Sequence, residues 1–224
     1  MALDNKNNIS VGKSHYQDSS FRQLTGRAEY IDDIPLSENT LHGALILSEI
    51  PSGMITSIET EKAKKFDPSI TVITAKDIPG RNDIAPIFAD EPIFAEKEVT
   101  YVGQPIGLIV ASSMERARAA VNEVKIVYKK YKTPILDLDL AFKKKNFFLK
   151  PIHFERGKAN EQIRRAPHKL EGSFSMGGQD HFYLETHIAL AIPHENSEFT
   201  IWSSTQHPTE VQHGVSNVLN IPAA

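Results

Sequence analysis

The sequence predicts an α+β fold built from short strands and short helices. Runs of β-branched and aliphatic residues recur from Leu41 onward, as is typical of strands. Segments with apolar residues at helical spacing lie between these runs. The chain has 224 residues, of which 40% are hydrophobic and 24% charged. This is the composition of an ordinary globular protein, and the length is sufficient for a core.

Residues 1–20 are predicted to be a mobile leader, because they are polar, rich in asparagine and without the apolar run of a signal peptide. A short strand between two turns is predicted over Phe21–Pro35. Thr25-Gly26 and Asp32-Asp33 supply the turn residues. Asp32 and Asp33 could also be a carboxylate pair for acid–base chemistry or calcium, but a solvated turn is the simpler interpretation.

A compact α+β domain is predicted over residues 21–135. One short helix is expected at Glu61–Phe66, and a second helix follows a capping box formed by Ser112 and Glu115. The second helix should pack across a small sheet, because its apolar residues recur at amphipathic spacing: Met114, Ala117, Ala120, Val121 and Val124. The expected strands are Met54–Ile58, Ile70–Thr74, Val99–Val102, Ile106–Ala111 and Lys125–Tyr128.

Residues 136–150 are predicted to be a linker, and residues 151–224 to belong to a second domain. Lys143, Lys144 and Lys145 in the linker invite a nucleic-acid interpretation, but the net charge of −3 favours a solvated connector. Beyond the linker, the patterns predict two helices and, besides the strand at Ile188–Ile192 considered below, two strands. The helices are Glu161–Arg165 and one starting at Pro208, and the strands are Pro167–Met176 and Phe199–Gln206.

The segment Gly177–Thr186 is the densest in chemistry. Gly177 and Gly178 allow the backbone to approach another group closely. The amide of Gln179 can donate and accept hydrogen bonds together, which suits a polar ligand. The apolar run Ile188–Ile192 favours a buried strand over a helix. One face of that strand would carry His181, Tyr183, Glu185 and His187.

A zinc site is the main rival interpretation of this segment. His181, Glu185 and His187 would share a strand face, and one further donor could complete a tetrahedron. The chain contains no pair of histidines in a HExxH pattern, so core or surface histidines are the alternative interpretation.

Composition excludes several other classes of function. The net charge of −3 predicts binding neither to nucleic acid nor to an anionic membrane surface. The absence of cysteine excludes disulfides, thiolate zinc sites and iron–sulfur ligation within these residues. No apolar run approaches the length of a membrane span, so a cytoplasmic location is predicted.

Gly177–Thr186 and Ser203–Gln212 resemble segments of the xanthine dehydrogenase and aldehyde oxidase family, and the resemblance extends from about Val11 to Ala224. It implies an α/β hammerhead domain followed by the start of a molybdopterin-binding domain. Asp90–Pro92 and Val102–Pro105 are similar to signatures of the hammerhead domain, where their role is mainly architectural.

The resemblance also implies a cofactor, molybdopterin with molybdenum, and a reaction. Members of the family hydroxylate a purine or an aldehyde with oxygen taken from water. Their electrons leave through iron–sulfur clusters and FAD to NAD, and those groups would lie on another chain or domain. Gln179 matches the glutamine that hydrogen-bonds the oxo ligand of molybdenum, with Gly177 and Gly178 beside it at the cofactor. Xanthine or hypoxanthine is favoured over aldehydes.

The family pattern continues past the residues present here. Its glycine-rich cofactor segment and its catalytic glutamate would follow Ala224. We therefore expect the N-terminal part of a molybdenum-binding subunit, inactive by itself. Its partners would be the remainder of that subunit, an iron–sulfur and FAD-containing small subunit, and a purine. The alternatives are a non-catalytic assembly fragment and an aldehyde oxidase-type member of the family.

Overall fold

The computed structural model describes residues 11–85, 87–130 and 133–223. The chain divides into two compact units. The larger unit contains Leu41–Phe182 and Gly214–Pro222. The smaller unit contains the described residues up to Thr40 together with Tyr183–His213 and Ala223. Both units mix helix and strand, as the predicted α+β class requires.

The elements are short throughout. The helices are α1 (Ser20–Leu24), α2 (Glu61–Phe66), α3 (Met114–Val121), α4 (Leu138–Lys143), α5 (Ala159–Arg165) and α6 (Pro208–Leu219). The strands are β1 (His42–Leu47), β2 (Gly53–Glu59), β3 (Thr71–Thr74), β4 (Glu98–Val99), β5 (Pro105–Ala111), β6 (Lys125–Lys130), β7 (Ala189–Pro193) and β8 (Phe199–Ser203). Single 3₁₀ turns occur at Ile31–Asp33, Ala75–Asp77 and Glu195–Ser197.

Two antiparallel sheets organise the larger unit. In the first sheet β5 lies between β1 and β3, and in the second β2 lies between β4 and β6. The pairing register shifts between Ile46 and Leu47 in the first sheet, and between Ile55 and Ser57 in the second. Such irregularities bend a strand and increase its twist.

The core lies where α3 packs on β1 and β5. Ala117 and Ala120 of α3 and Ile106 and Ile109 of β5 are completely buried. Alanine on the buried helix face removes bulk, so the helix can approach the sheet closely. Every described residue classed as buried lies between Ile31 and Ala120. Within the larger unit the buried residues therefore lie between Ile46 and Ala120.

The predicted helices are confirmed, with one correction at the start of α3. The structure places α2 at the predicted bounds, and helices also cover Glu161–Arg165 and the residues after Pro208. The N-cap of α3 is Ser113, whose hydroxyl accepts the Arg116 N–H at 3.3 Å, and not the predicted Ser112. The pKa of Glu115 is lowered by its own backbone N–H and then by the Ser113 hydroxyl. The two adjacent serines made the capping pattern ambiguous by one residue.

Several predicted strands are shorter or absent. Of the predicted strand Val99–Val102 only Val99 lies in a strand, at the end of β4 (Glu98–Val99). Phe21–Pro35 contains a helix and a 3₁₀ turn instead of a strand. Pro167–Met176 contains no strand. Where β-type segments do form, another described strand accepts their backbone hydrogen bonds. Residues 167–176 have no such neighbour among the described residues.

An ion pair between a buried carboxylate and a half-exposed arginine joins α2 to α3. Asp67 directly follows α2 and is only 2% exposed, and its carboxylate accepts hydrogen bonds from Arg116 Nε at 2.7 Å and from the Ser69 hydroxyl at 2.6 Å. The Ser69 backbone N–H donates a further bond at 3.0 Å. The Arg116 hydrogen bond, followed by those from Ser69, lowers the pKa of Asp67 to about 2. The same bond raises the pKa of Arg116.

The lowered pKa of Asp67 predicts an acid-sensitive contribution to stability. Its carboxyl takes up a proton near pH 3.8 in the unfolded chain but only near pH 2 in the folded chain. The contribution is therefore complete above about pH 4 and is lost as the pH falls towards about 2. We expect Asp67→Asn to lower the free energy of unfolding at neutral pH and to flatten its fall over this window. Urea denaturation at a series of pH values measures both effects.

The matched control for this prediction is Glu59→Gln. Glu59 pairs with Lys125 at 3.3 Å, but both side chains are exposed, so its loss should change the free energy of unfolding by less than about 1 kcal/mol. If Asp67→Asn lost as much stability below pH 4 as the unaltered protein, the assignment of the acid sensitivity to Asp67 would be wrong.

Candidate functional site

The predicted site residues Gly177, Gly178 and Gln179 lie in an open, irregular segment of the larger unit. Residues 166–188 contain neither helix nor strand, and the Gln179 side chain is exposed. Gln179 makes no hydrogen bond with any described residue. The prediction of a buried strand after these glycines is wrong. The strand that forms there, β7 (Ala189–Pro193), begins only at Ala189, and most of its residues are exposed.

The two glycines have free space around them. A Cβ added at Gly177 or at Gly178 would meet no heavy atom within 4 Å, and neither residue has a positive φ. Neither glycine is therefore required by the packing or the backbone conformation of the described residues. Space at the backbone and an unpaired amide that donates and accepts fit a bound polar group approaching this segment.

His181, Tyr183, Glu185 and His187 do not share a strand face, which corrects the prediction. Residues 181–187 lie outside any strand. In the smaller unit, the rings of Tyr183 and His187 lie 4.8 Å apart. Among the residues that the structure describes, no group of three or more histidine, aspartate or glutamate side chains could hold a metal ion.

Glu185 has a structural contact that the sequence did not indicate. Its carboxylate accepts the backbone N–H of Ile31 at 3.0 Å, at the start of the first 3₁₀ turn. The two residues are 154 positions apart in the chain, so no local pattern could reveal the bond. Tyr30 and Asp33 complete this turn, since the Tyr30 N–H donates to Asp33 at 2.9 Å. The prediction of a solvated turn at Asp32-Asp33 is consistent with this geometry.

Ser203–Gln212, the second motif, is explained by the start of α6. The Thr205 hydroxyl accepts the His207 N–H at 3.1 Å, and His207 Nδ1 accepts the Glu210 N–H at 3.2 Å. An acceptor at Nδ1 means that the neutral ring carries its proton on Nε2. Pro208 occupies the first helical position, where its missing N–H costs nothing. These residues form a helix cap.

Ser204 of the same motif joins the two strands of the smaller unit. Its hydroxyl accepts the Ile188 N–H at 3.0 Å and donates to the Ile188 carbonyl at 3.3 Å. This extends the antiparallel pairing of β7 and β8 by one position. Ser204 is therefore fully engaged in holding the hairpin.

Two concavities in the described part of the chain lie away from Gly177, Gly178 and Gln179. One concavity lies in the larger unit beside Gly80, Arg81 and the end of α6. The other lies in the smaller unit beside His187, Ser203 and Ser204. None of the helices in the described part of the chain is long and apolar enough to cross a lipid bilayer.

Two family models match this chain. Residues 25–132 match the model described as the a/b hammerhead domain of aldehyde oxidase and xanthine dehydrogenase. Residues 141–224 match the model of a molybdopterin cofactor-binding domain. The second match includes Gly177–Gln179. The predicted order of hammerhead domain and molybdopterin-binding domain is confirmed.

Curated relatives cover nearly the whole of this chain. Xanthine dehydrogenase 1 from Arabidopsis thaliana is 40% identical over 223 residues, which are 97% of this chain and 16% of the relative. A nicotinate hydroxylase from Emericella nidulans is 37% identical over 218 residues, which are 95% of this chain and again 16% of the relative. The chain thus spans about a sixth of the length of the curated relatives it matches.

A solved structure shares the fold. Quinoline 2-oxidoreductase from Pseudomonas putida 86 aligns with 96% of this chain and 29% of its own, with a TM-score of 0.79 and 24% identity. At this identity the likeness shows the fold alone. Together with the two family models and the relatives, it leads to one assignment: the chain belongs to the xanthine dehydrogenase and aldehyde oxidase family.

Proposed function

We propose that this chain belongs to a molybdenum hydroxylase of the xanthine dehydrogenase type, in which Gly177–Gln179 contacts the molybdopterin cofactor. One observation carries the proposal. The segment combines a glutamine amide that is unpaired among the described residues with two glycines that have no described atom near an added Cβ, inside the residues that match a cofactor-binding domain. Neither glycine nor the exposed amide has a role in the packing of the described residues.

The chemistry of the segment suits a bound oxygen-rich group. The Gln179 amide N–H₂ can donate to an oxo ligand of molybdenum, while its carbonyl accepts from another donor. Gly177 and Gly178 leave the backbone open to close approach, which any Cβ would restrict. When bound, molybdopterin supplies two-electron redox chemistry. The part of Gln179 is to orient an oxygen by hydrogen bonding, without coordinating the metal.

The proposed reaction is the hydroxylation of xanthine or hypoxanthine with oxygen from water. Electrons would pass through iron–sulfur clusters and FAD to NAD. The chain contains no cysteine, so thiolate ligands of those clusters must come from other residues of the assembly. A purine is the proposed substrate because the sequence from Gly177 to Tyr183 resembles the corresponding segment of xanthine dehydrogenases.

Exposed apolar side chains support contacts with further parts of such an assembly. Between residues 147 and 174, several large apolar side chains are exposed to solvent, although side chains of this kind are usually buried in a folded protein. They are Phe148, Leu149, Ile152, Phe154, Leu170 and Phe174. We propose that the remainder of the molybdopterin subunit and an iron–sulfur and FAD-containing partner bury these side chains.

Residues 1–224 by themselves are expected to retain no molybdopterin and to oxidise no xanthine. The reason is the open environment of Gly177 and Gly178, where a Cβ added at either glycine would meet no heavy atom of the described residues within 4 Å. The measurement is the molybdenum content of purified residues 1–224 after expression in a host that makes the cofactor. One molybdenum atom per chain, with turnover of xanthine, would contradict the prediction.

In the full-length protein, Gln179→Ala is expected to lower kcat for xanthine by about 10–100-fold, the usual effect of losing an oriented partner near a metal. The fall should appear mainly in kcat if the bond strengthens as charge develops on the oxygen. Gln179→Glu should be more severe, because an ionised carboxylate can only accept hydrogen bonds and repels an oxo ligand. The measurement is kcat per bound molybdenum.

Gln162→Ala is the matched control, since Gln162 is an exposed glutamine on α5 outside the proposed site. It should leave kcat per molybdenum unchanged. Parallel assays with nicotinate and with an aldehyde test the purine assignment separately. Unchanged turnover in Gln179→Ala would end the assignment of Gln179, whereas equal or better use of nicotinate would end only the choice of substrate.

A further inference from the structure

The C-terminal end of α6 is capped by a distant part of the chain. The last four carbonyls of a helix have no partner within the helix. The backbone N–H of Gly80 donates to the Val218 carbonyl at 2.9 Å, and the Arg81 N–H donates to the Asn217 carbonyl at 2.9 Å. Two of the terminal carbonyls of α6 are therefore satisfied by residues more than a hundred positions earlier.

A local cap completes this helix end. Asn220 has a φ of 55°, the left-handed conformation that commonly terminates a helix, and the Ile221 N–H donates to the Ser216 carbonyl at 3.1 Å. This is the longer hydrogen bond of a Schellman motif. The Ser216 hydroxyl also donates to the Ile221 carbonyl. Local and distant donors together satisfy the carbonyls of Ser216, Asn217 and Val218.

Gly80 is the residue that this contact requires. A Cβ at position 80 would lie 2.0 Å from the Asn217 carbonyl oxygen and 2.9 Å from that of Val218. Both obstacles are backbone atoms, so no side chain can rotate out of the way. The φ of Gly80 is not positive, and its requirement is therefore steric rather than conformational. Any other residue must separate the loop from the helix.

The loop is held from its other side by the core. The Asn82 amide donates to the Phe94 carbonyl at 2.8 Å and accepts the Phe94 N–H at 3.0 Å. Phe94 is only 7% exposed, and the next residue, Ala95, donates its N–H to the Pro105 carbonyl at the start of β5 at 2.8 Å. The donors that cap α6 are thus fixed to the central strand of the first sheet.

We propose that Gly80 and Arg81 form a backbone clamp that fixes the C-terminal end of α6 and the direction in which the chain leaves it at Ile221. In this clamp Gly80 is a positioning residue, and Asn82 anchors it to the core. The clamp is independent of the cofactor assignment, because none of its residues belongs to Gly177–Gln179. Arg81 contributes its backbone N–H to the clamp, while its guanidinium pairs with Asp83 at 3.3 Å.

The test is residue-resolved hydrogen exchange on the full-length protein. In the unaltered protein, the amides of Gly80, Arg81 and Ile221 should be protected and should exchange at similar rates, because one opening event exposes all three. Gly80→Ala should speed exchange at Arg81 and Ile221 by at least about fivefold, as expected for losing two hydrogen bonds of ordinary net strength. Exchange at Ile109 in β5 should not change.

Gly172→Ala is the matched control, because a Cβ there would meet no atom within 4 Å and the residue has no positive φ. If Gly80→Ala exchanged like Gly172→Ala at Arg81 and Ile221, the clamp would be refuted. If Gly80→Ala unfolded the protein, Ile109 would also lose protection. In that case the exchange rates of the unaltered protein decide whether the clamp exists. Unprotected Gly80 and Arg81 amides there, or rates unrelated to that of Ile221, overturn the proposal; matched protected rates uphold it.

Discussion

The packing of α3 on β1 and β5 is the contact on which the rest of the larger unit depends. Ala117 and Ala120 on the helix and Ile106 and Ile109 on the central strand have no exposed surface. Substituting a large aliphatic residue at such sites by alanine typically costs about 2–5 kcal/mol. The Asp67–Arg116 pair fixes α3 to the end of α2, and the Ser113 cap fixes its first turn. These contacts together hold α3 in one position on the sheet.

The helices and strands of this larger unit could be predicted from sequence, because the spacing of apolar side chains within each segment matches the face that it buries. Asp67 and Pro68 predict where α2 ends. The aliphatic run from Ile106 to Ala111 predicts β5. The start of α3 was predicted one residue early, since Ser112 and Ser113 both satisfy the capping pattern. Asp67–Arg116 and Glu185–Ile31 could not be predicted, because each joins residues remote in the chain.

The candidate site was harder to predict for a physical reason. Residues 167–187 have the alternation of a strand, but alternation forms a strand only where a neighbour takes the backbone hydrogen bonds. None of the described residues does so, and apart from Glu185 the side chains of this segment remain exposed. Gly177, Gly178 and Gln179 could still be named, because glycine and amide chemistry does not depend on secondary structure. The domain boundaries at 135 and 150 remain predictions.

The central claim is that Gly177–Gln179 is open in the chain and becomes ordered against a bound cofactor. Hydrogen exchange of the full-length protein, with and without molybdopterin, tests this claim most directly. Loading should slow exchange at Gly178 and Gln179 by at least about tenfold, because a bound group and its cover remove these amides from water. Exchange at Ala117 in α3 should be unchanged. Equal rates at Gly178 and Gln179 in the loaded and unloaded protein would contradict the account.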